Sequence, residues 1–138
     1  MRNRKIKLTE AIRFHGHLGP YLVLGLKAGD LALKKLKCKK YFRLTVKVWG
    51  ASDKPKSCLV DGLQLSTGAT YGKGNITKLN GSIIKLVVKD SDNSQKIVLT
   101  LKEGLVKELK VARTHRDSES LALRIYKASN SKLFTIRR

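Results

Sequence analysis

Apolar residues along the chain change period several times, and each change marks an element. From Tyr41 to Trp49, Phe42, Leu44, Val46 and Val48 alternate with Arg43, Thr45 and Lys47, which predicts a half-buried strand over 41–49. Upstream, Leu22, Val23, Leu26, Leu33 and Leu36 follow Pro20 and give one side of a helix a buried face; proline suits the first turn, where its missing N–H costs nothing. Gly25 and Gly29 leave part of that helix without side chains. Glycine costs on the order of 1 kcal/mol in a helix interior, so close packing against another backbone is the expected compensation. Lysines 34, 35, 37, 39 and 40 gather at the C-terminal end, where the helix dipole favours cations. A short helix, Thr9–Phe14 with Thr9 as its cap, comes first.

After a turn through Asp53-Lys54-Pro55-Lys56, Ser57 is placed to cap a helix from Cys58 to about Ser66 that stops at Gly68. Three strands follow, at about Asn75–Leu79, Ser82–Lys89 and Lys96–Leu101, the last two joined as a hairpin by Asp90-Ser91-Asp92-Asn93-Ser94. Two helices, about Glu103–Val111 and Ser118–Ala128 with Asp117 or Ser118 as cap, lead to a short extended piece over 133–136. The order is α-β-α-β-β-β with extra helices at each end. It predicts a single α+β domain over 1–138, a mixed sheet covered by helices.

Composition narrows the class. With 138 residues and 41% hydrophobic positions, the chain can bury a core without disulfides or metals. It has no run of about 18 apolar residues for a membrane span, and Met1–Lys7 is basic but lacks the apolar stretch of a signal peptide. A cytoplasmic protein is expected. Cys38 and Cys58 are too few for a disulfide framework, and Cys38, among lysines at a helix end, reads as structural. Lys and Arg outnumber Asp and Glu by 30 to 10, a net charge of +20. Such a field draws polyanions of every kind. The cations are spread along the chain, aromatic residues are only 6%, and no RNP, zinc-finger or KH pattern occurs, so nucleic acid is expected to bind only non-specifically. A homodimer and an acidic protein partner are both compatible with this surface.

Two polar clusters carry the candidate chemistry, and together they suggest one pocket. His15-Gly16-His17 precedes the Pro20 helix, and Gly16 permits a turn that brings both imidazoles toward one point. The plainer alternative is that one histidine bonds nearby backbone while the other faces solvent. Cys58 lies just inside its helix, where free N–H groups, the dipole, Lys54 and Lys56 would lower a thiol pKa; Asp61 and Gln64 share its face at steps of three. A small buried core cysteine is the competing reading. Gly68–Asn75 is one residue short of a phosphate loop, has Gly74 in place of the magnesium-binding hydroxyl, and runs from helix to strand, which excludes a nucleotidase. A backbone nest below Lys73 could still hold a carboxylate or phosphate.

The motifs His-Gly-His-Leu-x-Pro (15–20), Cys-x-x-Asp-Gly-x-Gln (58–64) and Thr-Gly-x-Thr-x-Gly-Lys-Gly-Asn (67–75) resemble the FmdE family, proteins named for formylmethanofuran dehydrogenase. The resemblance implies a fold similar to the C-terminal domain of glyceraldehyde-3-phosphate dehydrogenase and a His/Cys-lined groove holding zinc or another transition metal, or a small anionic ligand. It implies His15, His17 and Cys58 as metal ligands, and Asp61, Gln64, Thr70, Lys73 and Asn75 as ligand-binding residues. It also implies a link to one-carbon metabolism of the formylmethanofuran dehydrogenase type, either as a metal-dependent protein or as a non-catalytic accessory protein docked on an acidic redox partner. The chain departs from the family in carrying Gly19 and Ala69 where relatives commonly have cysteine, and it lacks the C-terminal zinc ribbon of longer members.

Overall fold

The computed structural model describes residues 4–138; Met1-Arg2-Asn3 of the basic N-terminal segment lie outside the described residues. The chain runs α1 (Leu8–His15), α2 (Pro20–Leu36), β1 (Leu44–Trp49), α3 (Cys58–Thr67), β2 (Ile76–Leu79), β3 (Lys85–Asp90) and β4 (Lys96–Leu101). It continues as α4 (Glu103–Val111), α5 (His115–Lys127), α6 (Asn130–Leu133) and β5 (Phe134–Arg137). The strands form one mixed sheet in the order β2-β1-β3-β4-β5; β1 and β2 are parallel and the other pairs antiparallel. The α+β class and the mixed sheet are as expected. No helix among the described residues is long and apolar enough to cross a membrane.

The alternation in β1 puts Leu44, Val46 and Val48 on the buried face, joined by Leu86 and Val88 of β3 and Ile97 and Leu99 of β4. Helix α2 covers this face and is itself buried on almost every side, with α3, α5 and β4 packed around it. Between α2 and α3 the two backbones touch. A Cβ built on Gly25 would lie 2.1 Å from the Leu59 carbonyl oxygen, and one on Gly62 would lie 2.2 Å from that of Leu22. Ser66, fully buried, donates its hydroxyl to the carbonyls of Gly25 and Gly62 at 3.0 and 2.8 Å. The helical cost of the glycines is offset here by the contact their missing side chains allow.

Several boundaries differ from the sequence expectation, each for a local reason. Helix α1 begins at Leu8, with Thr9 inside its first turn; the Glu10 carboxylate accepts the N–H of Lys7 at 3.1 Å and so takes the capping role. The strand read from Tyr41 begins at Leu44, because Tyr41 adopts φ +80° and donates its N–H to Thr67 at 2.9 Å. Helix α5 starts three residues early, capped by Thr114, whose hydroxyl accepts the N–H of Asp117 at 3.0 Å. The terminal extended piece is β5, paired with β4.

One buried ion pair ties the β3–β4 hairpin to the chain entering β1. Asp90, with no solvent exposure, accepts from Nε and Nη2 of Arg43, both at 3.0 Å, and from the N–H of Asp92 at 2.9 Å. Arg43 holds the Asp90 carboxyl below its usual range. Burial and this same carboxylate push the Cys38 thiol up to about 11, in keeping with its structural reading.

Two outcomes follow for stability. Gly25→Ala should destabilise the protein by on the order of 3 kcal/mol in urea unfolding, whereas Gly104→Ala, with nothing within 4 Å, should stabilise it by up to about 1 kcal/mol; equal midpoints would show that α2 and α3 do not meet at Gly25. Because the Asp90 carboxyl is depressed in the fold, its contribution is complete above about pH 4 and is lost as pH falls through the folded value. Asp90→Asn should therefore cost about 1.5–3 kcal/mol at pH 7 and flatten the loss of stability in acid, measured by unfolding between pH 2 and 7.

Candidate functional site

Helix α1 ends against the first turn of α3. Gly16, at φ +107°, donates its N–H to Ile12 at 2.7 Å and closes α1 in a left-handed turn. The turn brings two rings together, tilted at 45° to each other: the His15 and His17 ring centres lie 4.8 Å apart. The His15 side chain is only 10% exposed, and its Nδ1–H donates to Oδ2 of Asp61 on α3 at 2.6 Å. A carboxylate can only accept, so Nδ1 carries a proton, and in the tautomer this fixes Nε2 is the nitrogen left to present a lone pair. That Nε2 is buried and has no hydrogen-bond partner. Leaving such an atom unpaired costs about 1–3 kcal/mol, so it is a group with a capacity not yet used.

His17 and Cys58 line a cleft of about 340 Å³ between the start of α2 and the α4–α5 junction, together with Gly19, Pro20, Arg113 and His115. His115 is the functional candidate that sequence reading passed over: its ring centre lies 6.5 Å from that of His17, and its Nε2 pairs with Glu119 at 2.6 Å. The signal that could have found it is Thr114-x-x-Asp117, a capping pattern that starts α5 at His115. Gly19 also belongs to this wall, since a Cβ there would meet the His17 ring at 3.1 Å.

Cys58 behaves differently from the expectation. The first N–H groups of α3 are already taken by the preceding turn, Cys58 to Pro55 at 3.1 Å and Leu59 to Lys56 at 3.1 Å, and the Ser57 side chain makes no cap bond. Burial, and next the Asp61 carboxylate, raise the thiol above its ordinary value, and the Lys54 charge only partly opposes them. The thiol is a neutral donor at rest and becomes a thiolate when something displaces its proton.

The third motif braces its own loop. Asn75 accepts the N–H of Thr70 at 2.9 Å and donates to the Tyr41 and Leu44 carbonyls at 2.7 and 3.2 Å. Gln64 accepts the N–H of Tyr71 at 3.2 Å. Lys73 donates to the Gly68 carbonyl and, at 3.3 Å, to the Thr70 hydroxyl. The structure thus brings together His15, His17, Cys58 and Asp61, and sets Gln64, Thr70, Lys73 and Asn75 in an internal network of the 68–75 loop. Among the described residues no three His, Cys, Asp or Glu side chains stand as a preformed metal cluster.

Comparison with known proteins bears on this arrangement. The model of a family described as "FmdE, Molybdenum formylmethanofuran dehydrogenase operon" matches residues 14–135, and so takes in all three motifs. A probable S-adenosyl-L-methionine-binding protein of Archaeoglobus fulgidus is 32% identical over 74 residues; these are 53% of this chain and 20% of that protein, so the chain spans about a fifth of that relative's length. A crystal structure of an FmdE-like protein from Syntrophus aciditrophicus, named for tungsten formylmethanofuran dehydrogenase, shares the fold, with a TM-score of 0.67 at 23% identity, over 94% of this chain and 68% of that one. With a family match over residues 14–135, nearly the whole chain, the chain belongs to the FmdE family.

Proposed function

We propose that this is a cytoplasmic FmdE-family protein that binds a transition-metal ion, zinc foremost, at His15, His17 and Cys58. The observation that carries the reading is the buried, unpartnered Nε2 of His15, whose opposite nitrogen is held by Asp61. Metal-binding histidines are commonly oriented in this way, with a carboxylate fixing the tautomer and raising the basicity of the ligating nitrogen. The donor set fits zinc: two imidazoles and a thiol that loses its proton on binding. Three protein ligands leave a position open, and a metal there supplies Lewis acidity toward a carbonyl or a bound water. Arg113 and His115, on the far wall of the cleft, are placed to hold a small anionic ligand beside it.

The names of the family and of the Syntrophus protein support a place near formylmethanofuran dehydrogenase-type one-carbon chemistry. The layout of sheet and helices is read, within the same proposal, as similar to the C-terminal domain of glyceraldehyde-3-phosphate dehydrogenase. A second reading, an accessory protein docked on an acidic redox partner, is favoured by the basic surface and by Gly19 and Ala69 standing where relatives carry thiols.

Zinc titration of the purified protein, followed by competition with a chromophoric chelator, tests the metal. About one zinc per chain is expected; His15→Ala and Cys58→Ser should lose it, and Asp61→Asn should weaken it about 10–100-fold. Cys38→Ser should bind as the wild type does. Because the Cys58 thiol is raised, affinity should fall about tenfold for each pH unit lost below 8. Wild-type affinity in His15→Ala would end the proposal.

Gly19→Cys is the complementary test. It sets a thiol against the His17 ring, and zinc should bind about tenfold more tightly or better. Unchanged affinity would place Gly19 outside the ligand sphere.

A further inference from the structure

The end of α2 remote from the histidines opens on a groove of about 650 Å³. It is separated from the His17 cleft by most of the helix, about 20 Å at 1.5 Å per residue. Seven of its lining residues are cations and one, Asp30, is a carboxylate. Lys34, Lys37 and Lys39 are exposed and stand in no ion pair among the described residues. Unpaired like charges along one groove repel one another, and a polyanion entering it relieves that repulsion.

Beside the groove runs the segment Lys40–Arg43, whose ends line it and whose middle carries Tyr41 and Phe42. Phe42 is 82% exposed and Tyr41 51%. Their exposure follows from the backbone: Tyr41 is held at φ +80° across Gly68, where any side chain on residue 68 would strike its ring. Each ring has an ammonium near it. Lys73 Nζ lies 5.3 Å from the Phe42 centre, and Lys40 Nζ lies 5.3 Å from that of Tyr41. Large aromatic rings turned outward beside a cationic track form a surface for flat rings joined by phosphates.

We infer that this groove and the Tyr41–Phe42 pair bind single-stranded nucleic acid, the phosphates lying along Lys34, Lys37 and Lys39 and unpaired bases stacking on the two rings. A duplex keeps its bases inside and offers an aromatic side chain no face, so it gains only the electrostatic part. An acidic peptide would likewise satisfy the lysines and leave the rings without a partner of matching shape. This surface gathers seven of the chain's 30 Lys and Arg residues at one place in the fold.

Fluorescence anisotropy with a labelled single-stranded RNA 20-mer, a duplex of the same sequence and poly-glutamate as competitor, from about 50 to 300 mM salt, decides the matter. Phe42→Ala should weaken the single strand about tenfold at every salt and leave the duplex unchanged. The triple variant Lys34→Gln, Lys37→Gln, Lys39→Gln should lower the salt slope by about 2. Both carry substitutions at exposed positions and should unfold at the wild-type urea midpoint. Equal loss of single strand and duplex in Phe42→Ala, or no loss in either, would overturn the inference and leave polyelectrolyte attraction. Poly-glutamate competing as well as the RNA would overturn it in favour of an acidic protein partner.

Discussion

The contact between α2 and α3 is the constraint on which the rest of the structure depends. Two helix backbones approach until a single added carbon on Gly25 or Gly62 would collide with a carbonyl, and the Ser66 hydroxyl bridges both chains at the crossing. Dispersion falls off so steeply with distance that only such an approach lets a 17-residue helix be buried on nearly all sides in a chain this short. It also fixes the two helix starts relative to each other. Pro20 and Cys58 then flank one cleft, and Asp61 stands where His15 can reach it. The chemistry is a consequence of packing.

That packing creates an electrostatic imbalance at each end of α2. At the N-terminal end an imidazole is sealed from water on one side and tied to a carboxylate on the other, while burial raises the neighbouring thiol above its ordinary value. A cation entering there would meet groups with donor capacity and little competition from solvent. At the other end, cations outnumber carboxylates along an open groove, so the demand is for negative charge. One helix thus separates the proposed metal site from the proposed polyanion surface. The buried Arg43–Asp90 pair steadies the second of these, because Arg43 both pairs with Asp90 and lines the groove.

Much of the fold was legible in the linear pattern, for identifiable reasons. Strand alternation and helical spacing located β1, α2, α3, β4 and α4 to within a few residues, and the spaced glycines of α2 announced a backbone contact without naming its partner, Gly62. Boundaries were missed where a residue acted outside its usual role. Glu10 caps α1 in place of Thr9, Thr114 starts α5 in place of Asp117 or Ser118, and Tyr41 leaves the strand to sit on Gly68. Of the site, the two histidines, Cys58 and Asp61 could be named from their motifs. His115 and Arg113 share no motif with them: they lie more than fifty residues from Cys58, and the capping pattern at Thr114 marks only where a helix starts.

The sequence by itself determined the α+β class, the chain's family membership through its three motifs, the identity of the imidazole, thiol and carboxylate groups, and the excess of positive charge. These depend on residue type and near-neighbour spacing, which the chain carries in linear form. Tertiary structure alone decided that Asp61 orients His15, that Cys58 is raised rather than lowered, that the third motif is taken up in bracing its own loop, and that exposed lysines and two aromatic rings share one edge. Hydrogen bonding and desolvation depend on distances of a few ångströms between residues far apart in the chain, and those distances exist only once α2 and α3 have closed on each other.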